Sequence, residues 1–424
     1  MTRKMKSSGI EWIGDIPEEW EVIKLKYISC FYNGFSFDSN NLVTDYIYPV
    51  IRIGDIKGDD VNFNSSLGVK DDFGLSSYLI KDNDILLAMS GATVGKVGFV
   101  EKSIKSYINQ RVGIIRTSLP HFVFYNLLTK NFMEYINIRA EGSAQPNISS
   151  KMIENFSIAY PKKDLIFEIT NRIKNKIRIV NDTVKLINNQ IENLENYKKS
   201  VITEAVTKGL DKNVEMKDSG IEWIGEIPKH WEIVKGKYIL NLLKRSVKSD
   251  DEVITCFRDG EVTLRSNRRE DGFTFSEKEI GYQGIDIGDL VVHGMDGFAG
   301  AIGISDSRGK GSPILNVIDS SQDKSFLMFY LRTMAYSHVF EALATGIRVR
   351  SVDLRWNKLY NLPYPVPPLD EQKRISNYIY DQVLKANNLI NKKQIQLETL
   401  EEYKKSLIYE YVTGKKEVTD GERI

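Results

Sequence analysis

From Leu165 to Val206 the apolar residues of this chain fall on one stripe of a helix. Ile173, Ile177, Val180, Val184, Ile187, Ile191 and Leu194 are spaced alternately four and three, the period that keeps a seam facing a partner helix. The seam ends at Lys198 and Val201 in the phrase LENYKKSVITEAV. An offset of 206 residues brings a second seam, Ile379, Val383, Ala386, Ile390, Lys393, Leu397, Leu400, Lys404 and Leu407, in the phrase LEEYKKSLIYEYV. Two long helices in one register are expected to pair with each other, Lys198 and Lys404 occupying the same seam place. At 1.5 Å per residue, roughly 40 residues would run about 60 Å.

Duplication extends to nearly everything else. SGIEWIGDIPEEWEV at Ser8–Val22 returns as SGIEWIGEIPKHWEI at Ser219–Ile233. Trp12 and Trp20 answer Trp223 and Trp231, and Pro17 answers Pro228. Large rings around a proline turn are expected as core material of a docked leading segment. The stretch Tyr46–Arg116 is β-rich, with strand-like runs at Tyr48–Ile53, Asp84–Met89 and Val112–Arg116. DILLAMSGATVGKVGFV at Asp84 answers DLVVHGMDGFAGAIGIS at Asp289, each reading as strand, glycine-rich loop, strand. FYNLL at Phe124 and FYLRT at Phe329 both read as helix. The expectation is therefore a mixed α/β protein of two pseudo-two-fold-related globules, joined by two long antiparallel helices as a coiled-coil-like spacer. The boundaries drawn are residues 1–161 for the first globule, 162–211 for the first helix, 212–367 for the second globule and 368–424 for the second helix with its tail. Thr413–Ile424 is charged and short of apolar residues, so it is expected to fray.

Composition narrows the class. A chain of 424 residues with 42% hydrophobic positions can fill more than one core. Two cysteines and no apolar run of membrane-spanning length lead us to expect a soluble cytoplasmic protein. The 58 basic and 57 acidic residues balance to +1, which counts against a strong autonomous nucleic-acid binder. Catalytic readings fail on spacing. GATVGKV at Gly91 has three residues between its glycines and Val97 after Lys96, where a phosphate loop needs four and Ser or Thr. GFAGAIG at Gly297 lacks the dinucleotide spacing. His121, His230, His293 and His338 are scattered, and Cys30 and Cys256 have no ligand-spaced neighbour, so no metal site is expected. Asp59–Asp60 and Asp71–Asp72 read as solvated turns rather than a catalytic pair. This is a binding protein by elimination.

Two unlike globules at fixed spacing suit a target with two unlike halves, and double-stranded DNA provides one. Candidate contacts in the first half are Lys96, Arg111, Arg139, Gln145, Asn147 and Lys151. In the second half they are Arg265, Arg268, Arg269, His293, Arg348, Arg350, Arg355 and Lys358. Arg reads guanine and Asn or Gln adenine in bidentate fashion, while Lys mostly meets phosphate. The near-neutral charge leaves a second reading open, a scaffold that joins two copies of a partner protein through its helices.

The doubled SGIEWIG-x-IP-x-x-W, the mid-module strand–loop–strand and the phrase YPVPPLDEQKRI at Tyr364–Ile375 together resemble the type I restriction–modification specificity subunits over essentially the whole chain. The first copy departs from the pattern, reading KKDLIFEITNRI where the second reads PPLDEQKRI. The resemblance implies that each globule is a target-recognition domain for half of a split, asymmetric DNA site. It implies that the helices form the spacer and the docking surface for two methyltransferase subunits, with restriction and translocase subunits as further partners. It also implies a non-catalytic chain that binds no cofactor, S-adenosylmethionine and ATP being held by the partners.

Overall fold

A computed structural model describes residues 3–70, 74–140, 147–268, 280–343 and 354–418. The chain divides into two compact units, residues 1–187 with 395–424 and residues 188–394. Among the described residues the helices are α1 (Pro120–Leu127), α2 (Lys130–Ala140), α3 (Ser150–Glu154), α4 (Lys163–Lys208), α5 (Lys324–Tyr336), α6 (Val339–Ala342), α7 (Trp356–Leu359) and α8 (Leu369–Val412).

In the first unit the main sheet runs β2 (Ser29–Asn33), β8 (Val112–Thr117), β6 (Ile85–Ala88), β7 (Val97–Phe99), β5 (Asp60–Val61), β4 (Ile56–Lys57) in spatial order, while β1 (Glu21–Lys24) pairs with β9 (Ser157–Tyr160) and β3 (Tyr48–Ile51) lies in a separate small sheet. The central strand β6 is wholly buried, as its continuous apolar run ILLA requires of a strand covered on both faces. The second unit repeats the plan. Its main sheet runs β11 (Leu240–Leu242), β16 (Leu315–Ser320), β14 (Leu290–His293), β15 (Ile302–Ile304), while β10 (Glu232–Lys235) pairs with β17 (Pro363–Val366) and β12 (Ile254–Cys256) with β13 (Val262–Leu264). Register repeats too: Ile158 lies opposite Ile23 in one unit and Tyr364 opposite Val234 in the other. The run Tyr48–Ile53 is a strand only to Ile51, after which Ile53–Asp55 closes into a 3-10 turn.

Each unit uses parts of both long helices. Every seam position of α4 and α8 is buried or half-buried, whereas the off-seam Leu186 and Leu384 are exposed. Within the second unit the helices run antiparallel. Tyr197 donates to Gln382 at 3.2 Å, Lys198 to Asn387 at 2.8 Å and Lys393 to Gln190 at 2.6 Å, so numbers fall along one helix as they rise along the other. The two seam lysines, matched in sequence, have unlike partners. Lys404 binds Asp59, on the turn between β4 and β5 in the first unit. Asp59 is therefore not the freely solvated turn residue the sequence led us to expect.

The leading segments show how one packing problem is solved twice with different chemistry. Trp20 and Trp231 are fully buried, while Trp223 is exposed. In the second unit Glu371 accepts from the Trp231 indole at 3.1 Å and pairs with His230 at 2.8 Å. Its neighbour Gln372, fully buried, accepts from the Asp323 amide at 2.9 Å and donates to the carbonyl of Pro367 at 2.8 Å and to Gln322 at 2.7 Å. In the first unit Leu165 and Ile166 stand in these places and join the core. Trp20 Nε1 then finds no hydrogen-bond partner among the described residues. The missing Glu-Gln pair thus exchanges polar ties for apolar burial and leaves the start of α4 in place.

A similar exchange anchors the central strands. Asp84 and Asp289 each precede β6 or β14 and accept from the amide three residues earlier at 2.8 Å. Arg116, on β8, serves Asp84 with bonds of 2.8 and 3.0 Å. Arg245, after β11, serves Asp289. Both carboxylates are almost fully buried, and each must keep its guanidinium.

Contrary to the expected fraying, the start of the tail is packed. Thr413 and Gly414 are buried, and Thr413 donates to the carbonyl of Tyr409 at 2.6 Å. Gly414 has φ +73°, the left-handed helix end that glycine alone adopts cheaply, and a Cβ there would strike Pro17 and Trp20 at 2.6 and 3.0 Å. Gly209, φ +74°, ends α4 beside Pro228 and Trp231 in the same way. The reason is the duplication itself: each leading segment is closed by the end of a long helix.

Removing Gln372 would orphan several buried groups at once. Gln372→Ala is expected to cost about 3 kcal/mol, the upper range for buried polar groups left unpaired. Urea unfolding measures it, and a loss well under 1 kcal/mol would contradict this role.

Candidate nucleic-acid interface

Each globule presents a loop at the carboxyl end of its central strand, and the backbone around both loops is wired alike. In the first unit the Met89 amide donates to the Arg111 carbonyl at 2.8 Å, and the Met89 carbonyl accepts from the Ile148 amide at 3.0 Å. In the second, the Gly294 amide donates to the Ile314 carbonyl at 2.8 Å and the Gly294 carbonyl accepts from the Leu354 amide at 2.7 Å. A strand end is thus held between a turn on one side and an incoming segment on the other.

This wiring gathers part of the first candidate set. Lys96 follows the loop, its carbonyl accepting from Ala88 at 2.8 Å. Arg111 is exposed on the turn that Asn109 caps, and Asn147 is exposed and bridges Ser90. Lys96, Arg111 and Asn147 therefore meet around one strand end. Ser90 and Thr93, in the same loop, carry buried hydroxyls with no hydrogen-bond partner among the described residues. Sequence reading passed over both, because small hydroxylated residues in a glycine loop read as turn chemistry. Lys151 is exposed on α3, one short helix further on. Arg139 lies elsewhere, at the end of α2, with its guanidinium 3.9 Å from the Tyr135 ring centroid and 5.5 Å from that of Trp12. That stacking fastens the leading segment to α2. Gln145 lies outside the described residues.

In the second unit Arg265, Arg268 and His293 line one cavity of about 630 Å³, together with Arg258, Asp296 and Tyr282. Arg265 follows β13 and donates to Thr255 at 3.4 Å. Arg268 lies 4.2 Å from the Phe257 ring and bonds Asp259 at 2.5 and 3.0 Å, with Glu261 at 3.1 Å. His293 Nδ1 accepts from the amides of Asp296 at 2.9 Å and Met295 at 3.2 Å, which fixes the loop's first turn. Burial lowers the pKa of His293, so its ring is neutral at neutral pH with the proton on Nε2. Arg355 is exposed just before α7, next to the loop-bonded Leu354, and Lys358 is half-buried within α7. Arg269, Arg348 and Arg350 lie outside the described residues, as do Asp71 and Asp72. Arg258 escaped the sequence reading, although a D-G pair between strand-like triplets marks a hairpin tip.

Catalytic alternatives gain nothing from the geometry. Burial pushes the Cys256 thiol up to about 12, where it is neither nucleophile nor ligand. Among the described residues no group of three or more His, Cys, Asp and Glu side chains could hold a metal ion, and no helix is long and apolar enough to cross a membrane.

Residues 17–195 match the type I restriction modification DNA specificity domain. Over 95% of both chains, the protein is 27% identical to a putative type I restriction enzyme MjaX specificity subunit of Methanocaldococcus jannaschii. It is 24% identical to the type I restriction enzyme MjaVIII specificity subunit of the same organism, over 94% of this chain and 93% of that one. Among solved structures, a chain from a type I R-M system superposes with a TM-score of 0.67 at 13% identity, covering 95% of this chain and 99% of that one. The HsdS subunit of Thermoanaerobacter tengcongensis does so at 0.51 and 14%, covering 95% and 98%. At these identities the superpositions speak for the fold.

The His293 arrangement has a pH signature. Its folded pKa lies below the ordinary 6.5, so the unfolded chain binds the proton more tightly and stability falls as pH drops below about 6.5. His293→Asn is expected to flatten the decline in melting temperature between pH 7 and pH 5. An unchanged slope would place the titrating group elsewhere.

Proposed function

We propose, from the match of residues 17–195 to the type I restriction modification DNA specificity domain, that the protein is the sequence-reading subunit of a type I restriction–modification complex. Each globule reads one half of a split, asymmetric double-stranded DNA site. One observation carries this reading. The same backbone wiring is built twice with unlike side chains beside it, Lys96, Arg111 and Asn147 in one unit and His293 and Arg355 in the other. Two equal frames with unequal reading groups are what an asymmetric bipartite target requires.

The chain itself does no chemistry. Two methyltransferase subunits dock on the paired surfaces that a duplicated chain offers, and restriction and translocase subunits join them in the cytoplasm. S-adenosylmethionine and ATP are bound by those partners. Their contacts to phosphate supply the attraction that a chain of net charge +1 lacks.

Methylation mapping of the host genome with and without the gene is expected to show one split motif appear and vanish with it. Absence of any such motif would leave the scaffold reading in its place. The helices set the gap between the half-sites. Inserting one heptad after Ile187 and another after Gln394 is expected to widen it by about 10 Å, roughly three base pairs, with both half-sequences unchanged. Altered half-sequences would contradict the spacer role.

A further inference from the structure

Of the three arginines on the wall of the second unit's cavity, Arg258 and Arg268 stand in different circumstances. Arg258 lies at the tip of the hairpin β12–β13 and Arg268 just after its 3-10 turn; the tip is closed by the Phe257 amide donating to the Glu261 carbonyl at 2.8 Å and the Gly260 amide to the Phe257 carbonyl at 2.9 Å. Arg332, from α5, donates to the Asp259 carbonyl at 2.6 Å and fastens the tip to a helix rooted in the core. Arg268 is engaged within the hairpin by Phe257, Asp259 and Glu261. Arg258 points outward instead. Its side chain is 68% exposed, and it donates to Asp296 Oδ1 at 2.9 Å. Asp296 is held from behind, where its amide donates to His293. An exposed ion pair of this kind does little for stability. What it does is keep a planar donor fork and a carboxylate side by side at a set distance.

We propose that Arg258 and Asp296 together read one G·C base pair in the half-site of the second globule. Arg258 donates to O6 and N7 of guanine, and Asp296 accepts from the N4 amino group of cytosine. The major-groove edge of a G·C pair presents two acceptors and then one donor. Its O6 and N4 are hydrogen-bonded to each other, at the roughly 2.9 Å usual for such bonds. The guanidinium nitrogen and carboxylate oxygen of the pair have the same separation, 2.9 Å, and the complementary sequence of donors and acceptor. A phosphate is the wrong target for this site, because Asp296 would repel it. The assignment rests on the DNA-specificity reading above, which assigns no base pair to any side chain.

The test is methylation mapping of the chain co-expressed with its methyltransferase partner, as wild type, Arg258→Ala, Arg258→Lys and Asp296→Ala, with a thermal unfolding curve for each. The wild-type motif is expected to contain a G·C pair in one half. Arg258→Ala and Asp296→Ala are expected to relax discrimination at that one position by about tenfold or more, leaving the other half-sequence intact. Arg258→Lys, which keeps the charge and the fold but not the fork, should relax the same position. An unchanged motif in all variants, relaxation at different positions by the two residues, or a uniform fall in methylation across all sites would overturn the assignment. A wild type with no split motif would sink the DNA-specificity reading itself, and the assignment with it.

Discussion

Everything in this protein depends on the long helices ending inside the globular cores. In the first unit Ile166, Ile169 and Ile173 of α4 share one apolar cluster with Leu407, Ile408, Tyr411 and Val412 of α8, beside Trp20 and Phe132. In the second, Ile202, Ala205 and Val206 share a cluster with Ile375, Ile379 and Trp231. Fully burying a large apolar side chain contributes about 1.5–3 kcal/mol, so each docking is worth several such contributions. The helix ends are therefore part of each globule's core. A globule could turn on its helices only by opening its own core. Because interiors are packed like crystals, that leaves one orientation for the side chains at the reading loop relative to the helix face.

How much of this was legible follows from what duplication makes visible. The seam shows because its spacing is rigid and because the same spacing returns in the second half. Tryptophans around Ile-Pro show for the same reason. What the sequence hides is any tie that the two halves make from positions that do not correspond. Asp84 and Asp289 align, yet their arginines come from different strands, and no comparison of the two halves reveals that Arg116 and Arg245 do one job. Glu371 and Gln372 look like a loss in the first half, where Leu165 and Ile166 satisfy the same junction by burial. Thr413–Gly414 looks like a charged tail, yet its counterpart Thr207–Gly209 ends α4 in the same way.

The interface was legible in kind and not in detail. Residue type picks out donors, and Lys96, Arg111 and Asn147 do gather around one strand end. Residue type cannot tell a donor aimed outward from one engaged at home. Arg139 stacks on Trp12, Arg268 is held by Asp259 and Glu261, and His293 receives two amides of its own loop. In each case the deciding partner is distant in sequence or belongs to the backbone.

The acids at the second candidate interface also bear on the charge balance that first argued against a DNA binder. Arg258 and Arg268 stand against Asp296, Asp259 and Glu261, so the cavity wall carries its own counterions. A bare arginine cluster would attract any duplex through its phosphates, and that attraction carries no sequence information. Pairing Arg258 and Arg268 with carboxylates weakens it. The contacts that remain favourable are those in which a ligand supplies both an acceptor and a donor at the right separation. Under the proposed DNA-reading role, pairing at this wall is a condition of selectivity, because it gives up non-specific attraction and keeps discrimination.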